Sequence, residues 1–489
     1  MSQHHDVAII GSGFAGLAMA YQLKASGRED FVVFEKEAGV GGTWRVNQYP
    51  GCACDVQSHL YSFSFAPNPD WSRMFAPQPE IREYLENCAE HFGLMPHIRL
   101  KTALAQARWD EDAQHWQIRT TDGEEHTARV LVSAMGGLSR PALPNIPGLD
   151  GFSGKVFHSQ QWDHDYDLNG KRVAVIGTGA SAIQFVPQIQ KQVARLDLYQ
   201  RTPPWIIPKP DRAISLTEKW LFRHIPAAQK AFRRKIYLEL ESRVMGFVFD
   251  PRLMALPKRW ALKHIRKQIQ NPDLRRKVTP DYTIGCKRIL MSNDYYPALD
   301  QANVDVITSG VAEIRSHALV ASDGTEREVD AIILGTGFAA TDPVPRGLIF
   351  GRDGADITNS WQDGPQAYKG TTVAGFPNLF ILSGPNTGLG HSSVIYMIES
   401  QVNYVMDALR QMDARSAASV CVRDEAQQAY CEALDAKLDG SVWNAGGCSS
   451  WYRHPVSNRN TSLWPGFTFA FRRETRRFDA AAYEWQAAG

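Results

Sequence analysis

Two short glycine-rich stretches have the residue types and spacing to cradle a diphosphate. The first is Gly11-Ser12-Gly13-Phe14-Ala15-Gly16. Gly11 permits a tight turn, Gly13 lets the backbone approach a pyrophosphate, and Gly16 lets a helix pack closely on a strand. The helix that follows offers free N–H groups and the positive end of its dipole. Glu35 lies 24 residues after Gly11, near the offset of about 20 for an acid that binds a ribose. A glycine turn beside an exposed glutamate is the alternative. The elements around it argue for the dinucleotide.

The second stretch is Gly177-Thr178-Gly179-Ala180-Ser181-Ala182, with alanine in the third small position, which the fingerprint allows. Here the following strand ends in Gln200-Arg201-Thr202 and not in an acid. An acid would repel a 2′-phosphate, whereas Arg201 can fork onto one through charge-assisted bonds. The second site should therefore prefer NADPH to NADH. A solvated surface arginine is the alternative for Arg201.

The elements that must position these turns are legible. Val7-Ala8-Ile9-Ile10 and Arg172-Val173-Ala174-Val175-Ile176 read as buried parallel strands that run into the turns. Leu17 to Leu23 reads as a helix with Gly27 as its stop. Phe31-Val32-Val33-Phe34 and Leu196-Asp197-Leu198-Tyr199 read as the partner strands. Asp330 to Phe338 is a strand ending in small residues, where a chain crosses between two such units. Leu379-Phe380-Ile381-Leu382 is one more strand, opening into Gly384-Pro385-Asn386-Thr387-Gly388, a loop placed to cover a flavin ring. The expected fold is α/β: two Rossmann-like dinucleotide-binding domains, one for FAD and one for NADPH, with a helical insertion.

Composition narrows the class. The chain has 489 residues, 44% of them apolar, enough for about three domains. With 53 Lys+Arg against 52 Asp+Glu, the net charge of +1 gives no global field toward nucleic acid or an acidic membrane, though a local basic patch is compatible with it. Neither partner is expected. Seven sparse cysteines cannot all pair, which points to a reducing compartment and a cytoplasmic protein. No signal peptide or spanning helix is read. Cys52-Ala53-Cys54 has the wrong spacing for a disulfide-reductase pair, and no metal site is expected.

One further stretch is specific. Phe152-Ser153-Gly154-Lys155-Val156-Phe157-His158-Ser159-Gln160-Gln161-Trp162-Asp163 matches F-x-G-x-x-x-H-x-x-x-W-D. Gly42-Thr43-Trp44, Tyr49-Pro50-Gly51 and Asp55 match a second ordered pattern, and Lys287-Arg288 a third. With these motifs the chain resembles the type I Baeyer–Villiger monooxygenases, within the class B flavoprotein monooxygenases. The resemblance runs from Gly11 to about Trp451. It implies that NADPH reduces FAD, that O₂ adds to the reduced ring as a C4a-peroxide, and that this peroxide attacks a ketone to give an ester or lactone. By motif position Arg288 would be the permanent cation beside the peroxide, and Asp55 would hold its guanidinium. An ordinary helix N-cap is the alternative for Asp55. Lys287 would be a second contact to the 2′-phosphate. Trp451 would ride a mobile loop that folds over the nicotinamide; a plain core aromatic is the alternative. His158 reads as a structural link between domains, Trp162 as buried packing beside it, and His391 as either a substrate contact or a satisfied buried histidine. Apolar Val56, Leu138, Leu389 and Val394 would line the pocket.

The expected domains are residues 1–141 and 340–489 for FAD, 142–212 and 284–339 for NADPH, and 213–283 as the helical insertion. Arg472 to Arg477 reads as a solvated surface or interdomain contact. Two alternatives stand beside this reading: a related enzyme acting mainly on sulfur or nitrogen, and an NADPH-sensing flavoprotein without turnover.

Overall fold

The structure is a computed structural model that describes residues 3–487. Its first sheet forms because Val7, Ala8 and Ile9 are apolar on both faces and lose all solvent contact. The strand Gln3–Ile10 pairs in parallel with Phe31–Phe34 on one side and Glu125–Ser133 on the other. Leu104–Asp110, His115–Thr120 and Glu125–Ser133 form an antiparallel meander. Leu379–Ile381 returns in parallel beside Glu125–Ser133, so the C-terminal part of the chain rejoins this sheet. The helix Phe14–Ala25 starts three residues before Leu17, directly after the N-cap Gly13, and Gly27 follows its end with φ +80°.

The second sheet is fully parallel. Its order is Val304–Ile307, Arg195–Tyr199, Arg172–Ile176, Ala331–Leu334, Lys155–His158. Both dinucleotide-type turns therefore sit at the carboxyl ends of central parallel strands, where open α/β sheets bind ligands. Between the halves of this sheet come the helices Leu216–His224, Pro226–Ser242, Ala255–Gln268 and Pro272–Val278, joined by a π-turn at Met245–Phe249 and a 3₁₀ turn at Pro251–Met254.

The loop Tyr49 to Asp55 bridges the two sheets. Tyr49 donates its hydroxyl to Gln184 Oε1 at 3.0 Å, and Gln184 Nε2 donates to the Ala53 carbonyl at 2.9 Å. Gln184 lies on the helix Ala182–Ile189 that follows the second turn. Residues 55–58 form bends and turns and no helix, so the N-cap alternative for Asp55 fails.

The cysteines need a correction. Cys286 and Cys448 form a disulfide across 162 residues. The other five are buried thiols. The sequence expectation of a reducing compartment included no disulfide, because a pair so far apart leaves no local spacing to read.

Candidate functional site

The first turn is built as its residue types require. Gly11 has φ +101°, and a Cβ there would lie 2.8 Å from the Ala134 carbonyl oxygen. Phe14 and Ala15 are buried at the start of the helix, Phe14 edge-on to Tyr61 and Phe63 at 5.2 and 5.1 Å. Gly42 backs onto Gly13 so closely that a Cβ would come 2.8 Å from the Gly13 Cα. Thr43 opens the one-turn helix Thr43–Val46, and buried Trp44 donates its Nε1 to Tyr61 at 3.2 Å. Glu35 is 4% exposed. Its Oε2 accepts from Ser12 N at 2.8 Å and Ser12 Oγ at 2.6 Å, and its Oε1 accepts from Glu37 N at 2.9 Å. The acid is thus fixed against the turn, not exposed beside it.

The second turn repeats the backbone. Gly177 has φ +110°, and a Cβ there would overlap the Gly335 carbonyl oxygen. A Cβ on Gly179 would meet no atom of the described residues within 4 Å. Packing therefore does not require glycine at 179, whereas close approach by a phosphate does. Thr178 Oγ1 donates to the Thr202 carbonyl at 3.2 Å, tying the turn to the end of the second strand, and Ser181 stands at the N-cap position of the following helix without a side-chain capping bond. Arg201 is exposed there. Lys287 has its pKa held below the ordinary lysine value, first by burial and then by the Arg201 cation. Its Nζ sits 5.1 Å from the Tyr282 ring centroid. The Asp281 charge opposes that lowering, and no acid forks onto Arg201 or Lys287 among the described residues.

Arg288 and Asp55 meet although 233 residues separate them. Arg288 Nε and Nη2 both reach Asp55 Oδ2 at 2.6 Å, and Nη1 donates to the Leu389 carbonyl at 3.3 Å. The side chains stay 29% and 32% exposed. The Asp55 charge raises the Arg288 pKa, outweighing the opposing effect of burial. This cation is permanent at any working pH. Its two partners fix it from opposite ends of the chain, the bridging loop and the loop after Leu379–Ile381.

Two adjacent aromatics at the C-terminal loop have opposite surroundings. Trp451 is 49% exposed and tilted on Tyr452, which rules out the core-aromatic reading. Tyr452 is the buried one, at 1% exposure, and its hydroxyl has no hydrogen-bond partner. Burial pushes that hydroxyl up to about 12, and the neighbouring Arg288 charge opposes the rise. Alternating burial of two adjacent aromatics leaves no composition signal. Gln184, the clamp between the sheets, was equally unmarked.

His158 is buried at the end of Lys155–His158. Its Nδ1 accepts from Gln160 N at 3.1 Å and its ring lies edge-on to Phe338 at 5.7 Å. Its ring contact is with Phe338, just past the crossover strand Ala331–Leu334. Trp162 is partly buried against Phe157 and Phe185 at 5.2 and 5.3 Å. His391 is buried with both ring nitrogens unpaired, 3.7 Å from Glu241. Of the apolar residues expected around a pocket, Val56 and Leu389 are buried, Val394 is partly buried and Leu138 is 43% exposed. Arg472 lies over the Tyr396 ring at 3.5 Å, a packing contact within the C-terminal part.

No group of three or more potential metal ligands occurs among the described residues. None of the helices searched is long and apolar enough to cross a membrane.

Comparison with known proteins gives three findings. A family model described as flavin-binding monooxygenase-like matches residues 4–227. A Baeyer–Villiger monooxygenase of Pseudomonas aeruginosa is 63% identical over 482 residues, covering 99% of this chain and 92% of that one, and one of Streptomyces coelicolor is 52% identical over 483 residues, covering 99% and 93%. Among solved structures, cyclohexanone monooxygenase from Rhodococcus sp. Phi1 bound to NADP+ is similar with a TM-score of 0.88 at 27% identity, covering 100% of both chains.

Proposed function

The chain belongs to the Baeyer–Villiger monooxygenases, and from that membership we infer an FAD- and NADPH-dependent enzyme that inserts one atom of O₂ next to a ketone carbonyl, giving an ester or lactone. Bound FAD supplies the redox chemistry that activates O₂, with NADPH as its hydride source. The residues present suit both groups: a Cβ at Gly179 would stand in open space that a phosphate can occupy, and one at Gly13 would meet only the Cα and N of Gly42.

In this reading FAD lies on Gly11, Gly13, Phe14, Ala15 and Gly16, with Glu35 at its ribose and Gly42, Thr43 and Trp44 behind the turn. NADPH lies on Gly177, Thr178, Gly179 and Ser181, with Arg201, Thr202 and Lys287 at its 2′-phosphate. Residues 1–141 and 340–489 form the FAD domain, 142–212 and 284–339 the NADPH domain, and 213–283 the insertion. Membership of the two sheets supports that division. The cytoplasm is the proposed compartment: five of the seven cysteines are free thiols, and the Cys286–Cys448 disulfide is the one feature that counts against it.

The Arg288–Asp55 pair carries the reading. A fixed guanidinium stabilises negative charge on oxygen without delivering a proton, because arginine does not deprotonate in proteins. Asp55 fixes its direction. The Leu389 carbonyl holds the far edge of the fork and ties it to the loop nearest the expected pocket. Trp451, exposed on its loop, is free to cover the nicotinamide and exclude water.

The test is a product assay. Purified yellow protein, NADPH and air are incubated with linear and cyclic ketones and one thioether, and products are read by mass spectrometry. An ester or lactone from any ketone is expected. Sulfoxide alone across a broad panel would move the reaction to sulfur oxidation.

A further inference from the structure

The balanced total charge conceals a segregation. Residues 213–283 contain sixteen Lys or Arg and six Asp or Glu, while the whole chain balances at +1. The excess is sharpest around the helix Ala255–Gln268. From Pro251 to Gln268 there are six cations, Arg252, Lys258, Arg259, Lys263, Arg266 and Lys267, and no acid. None of the six forms an ion pair with any of the described residues.

The same helix has two apolar faces. Ala261, His264 and Ile265 point inward and are buried. Leu256 and Trp260, four residues apart and so on one face, point outward and are 51% and 53% exposed. Leu253, three residues before Leu256, continues that stripe at 51% exposed. Lys263 and Lys267 lie seven residues beyond Leu256 and Trp260, so they extend the same face with charge. The adjoining π-turn adds Met245 and Phe249 at 41% and 55% exposed. Phe249 stacks on Phe467 at 5.4 Å, and Phe467 on Phe469 at 4.9 Å. Phe469 is itself 50% exposed. Six large apolar side chains, Met245, Phe249, Leu253, Leu256, Trp260 and Phe469, are thus exposed on this segment and its Phe467–Phe469 neighbour.

We propose that residues 245–267 form a docking surface for an anionic lipid bilayer, on which the helix Ala255–Gln268 lies in the headgroup plane. The outward Leu, Trp and Phe side chains enter the boundary between headgroups and acyl chains, and the unpaired cations meet lipid phosphates. Indole and long basic side chains suit this boundary because each joins an apolar body to a polar or charged end. The helix has 14 residues, too short to span a bilayer. A second copy of the chain is a poorer occupant, since two such faces would set cation against cation. Nucleic acid would use the charge but leave the Leu and Trp stripe without a partner. A local basic patch is compatible with the balanced total charge, and this segment supplies one.

The test is co-sedimentation of the full-length holoenzyme with vesicles of equal parts phosphatidylcholine and phosphatidylglycerol, and with vesicles of phosphatidylcholine alone. Binding is expected to the anionic vesicles only. It should fall sharply between about 50 mM and about 500 mM salt, as the screening length shortens. The double variant Lys263→Gln/Lys267→Gln should weaken partitioning about 25-fold, at roughly fivefold per surface cation. Trp260→Ser should weaken it about tenfold while flavin content and NADPH oxidation stay unchanged, which separates docking from folding. Absence of binding to anionic vesicles would overturn the proposal. So would equal binding to both vesicle types, a dimer by light scattering that Trp260→Ser dissolves, or binding to duplex DNA in place of vesicles.

Discussion

At the first glycine turn the partner strand, Phe31–Phe34, runs into Glu35; at the second, Arg195–Tyr199 runs into Gln200-Arg201-Thr202. The backbones before those ends are alike. Gly11 and Gly177 have φ values of +101° and +110°, and each leads from a parallel strand to a helix. The acid at the first is sunk into the fold and gives its oxygens to Ser12 and to the Glu37 amide. The cation at the second is exposed, and its charge lowers the pKa of Lys287. In the proposed reading, one design makes a preorganised acceptor for hydroxyls at the first turn and an open pair of cations for a phosphate at the second, so that ligand choice would lie at the end of the partner strand and the glycines would supply only the cradle.

Breaking the acid should have the larger effect. Glu35→Ala leaves Ser12 N without its partner in a buried place and removes the proposed ribose contact. A lost charge-assisted bond and an unsatisfied donor together imply FAD affinity lower by about 100-fold. The ratio of flavin to protein absorbance after purification reads this. Wild-type flavin content would show that Glu35 only braces the turn.

Removing the cation should be selective. Arg201→Ala is expected to raise KM for NADPH about 10–100-fold, the worth of a charge-assisted pair, and to change KM for NADH less than about twofold. Steady-state rates with the two cofactors decide it. Equal effects on both would erase the contrast between the turns.

The smallest effect sharpens the same contrast through pH. Lys287 contributes charge only when protonated, and burial and Arg201 lower its pKa below 10.5. Its contribution to NADPH binding is therefore complete below the lowered pKa and lost as pH rises through it. A rise in KM for NADPH of about two- to fivefold should begin below pH 10.5. Arg201→Ala removes one of the two causes and should shift that rise to higher pH. An unchanged profile would mean the two cations do not share a site.

What was readable beforehand follows from locality. The glycine turns, Glu35 and Arg201 are set by residues that succeed one another along a strand, a turn and a helix, and apolar runs mark such units. Arg288 and Asp55 have no local relation, so only ordered family motifs could join them. Tyr452 was hidden behind its neighbour Trp451, because burial of one aromatic and exposure of the next depends on tertiary packing. The Cys286–Cys448 pair was hidden by distance along the chain. The basic apolar face of Ala255–Gln268 is present in the sequence, but an exposed and a buried apolar stripe look the same until the fold assigns the inside.

The central claim is that Arg288 serves oxygen transfer and not cofactor reduction. The measurement that tests it is Arg288→Ala followed in two steps, anaerobic bleaching of the flavin by NADPH and then ester formation from a ketone that the wild type converts. The account predicts bleaching that still proceeds, with ester formation lowered by about 100-fold or more. Ester formed at the wild-type rate would contradict it.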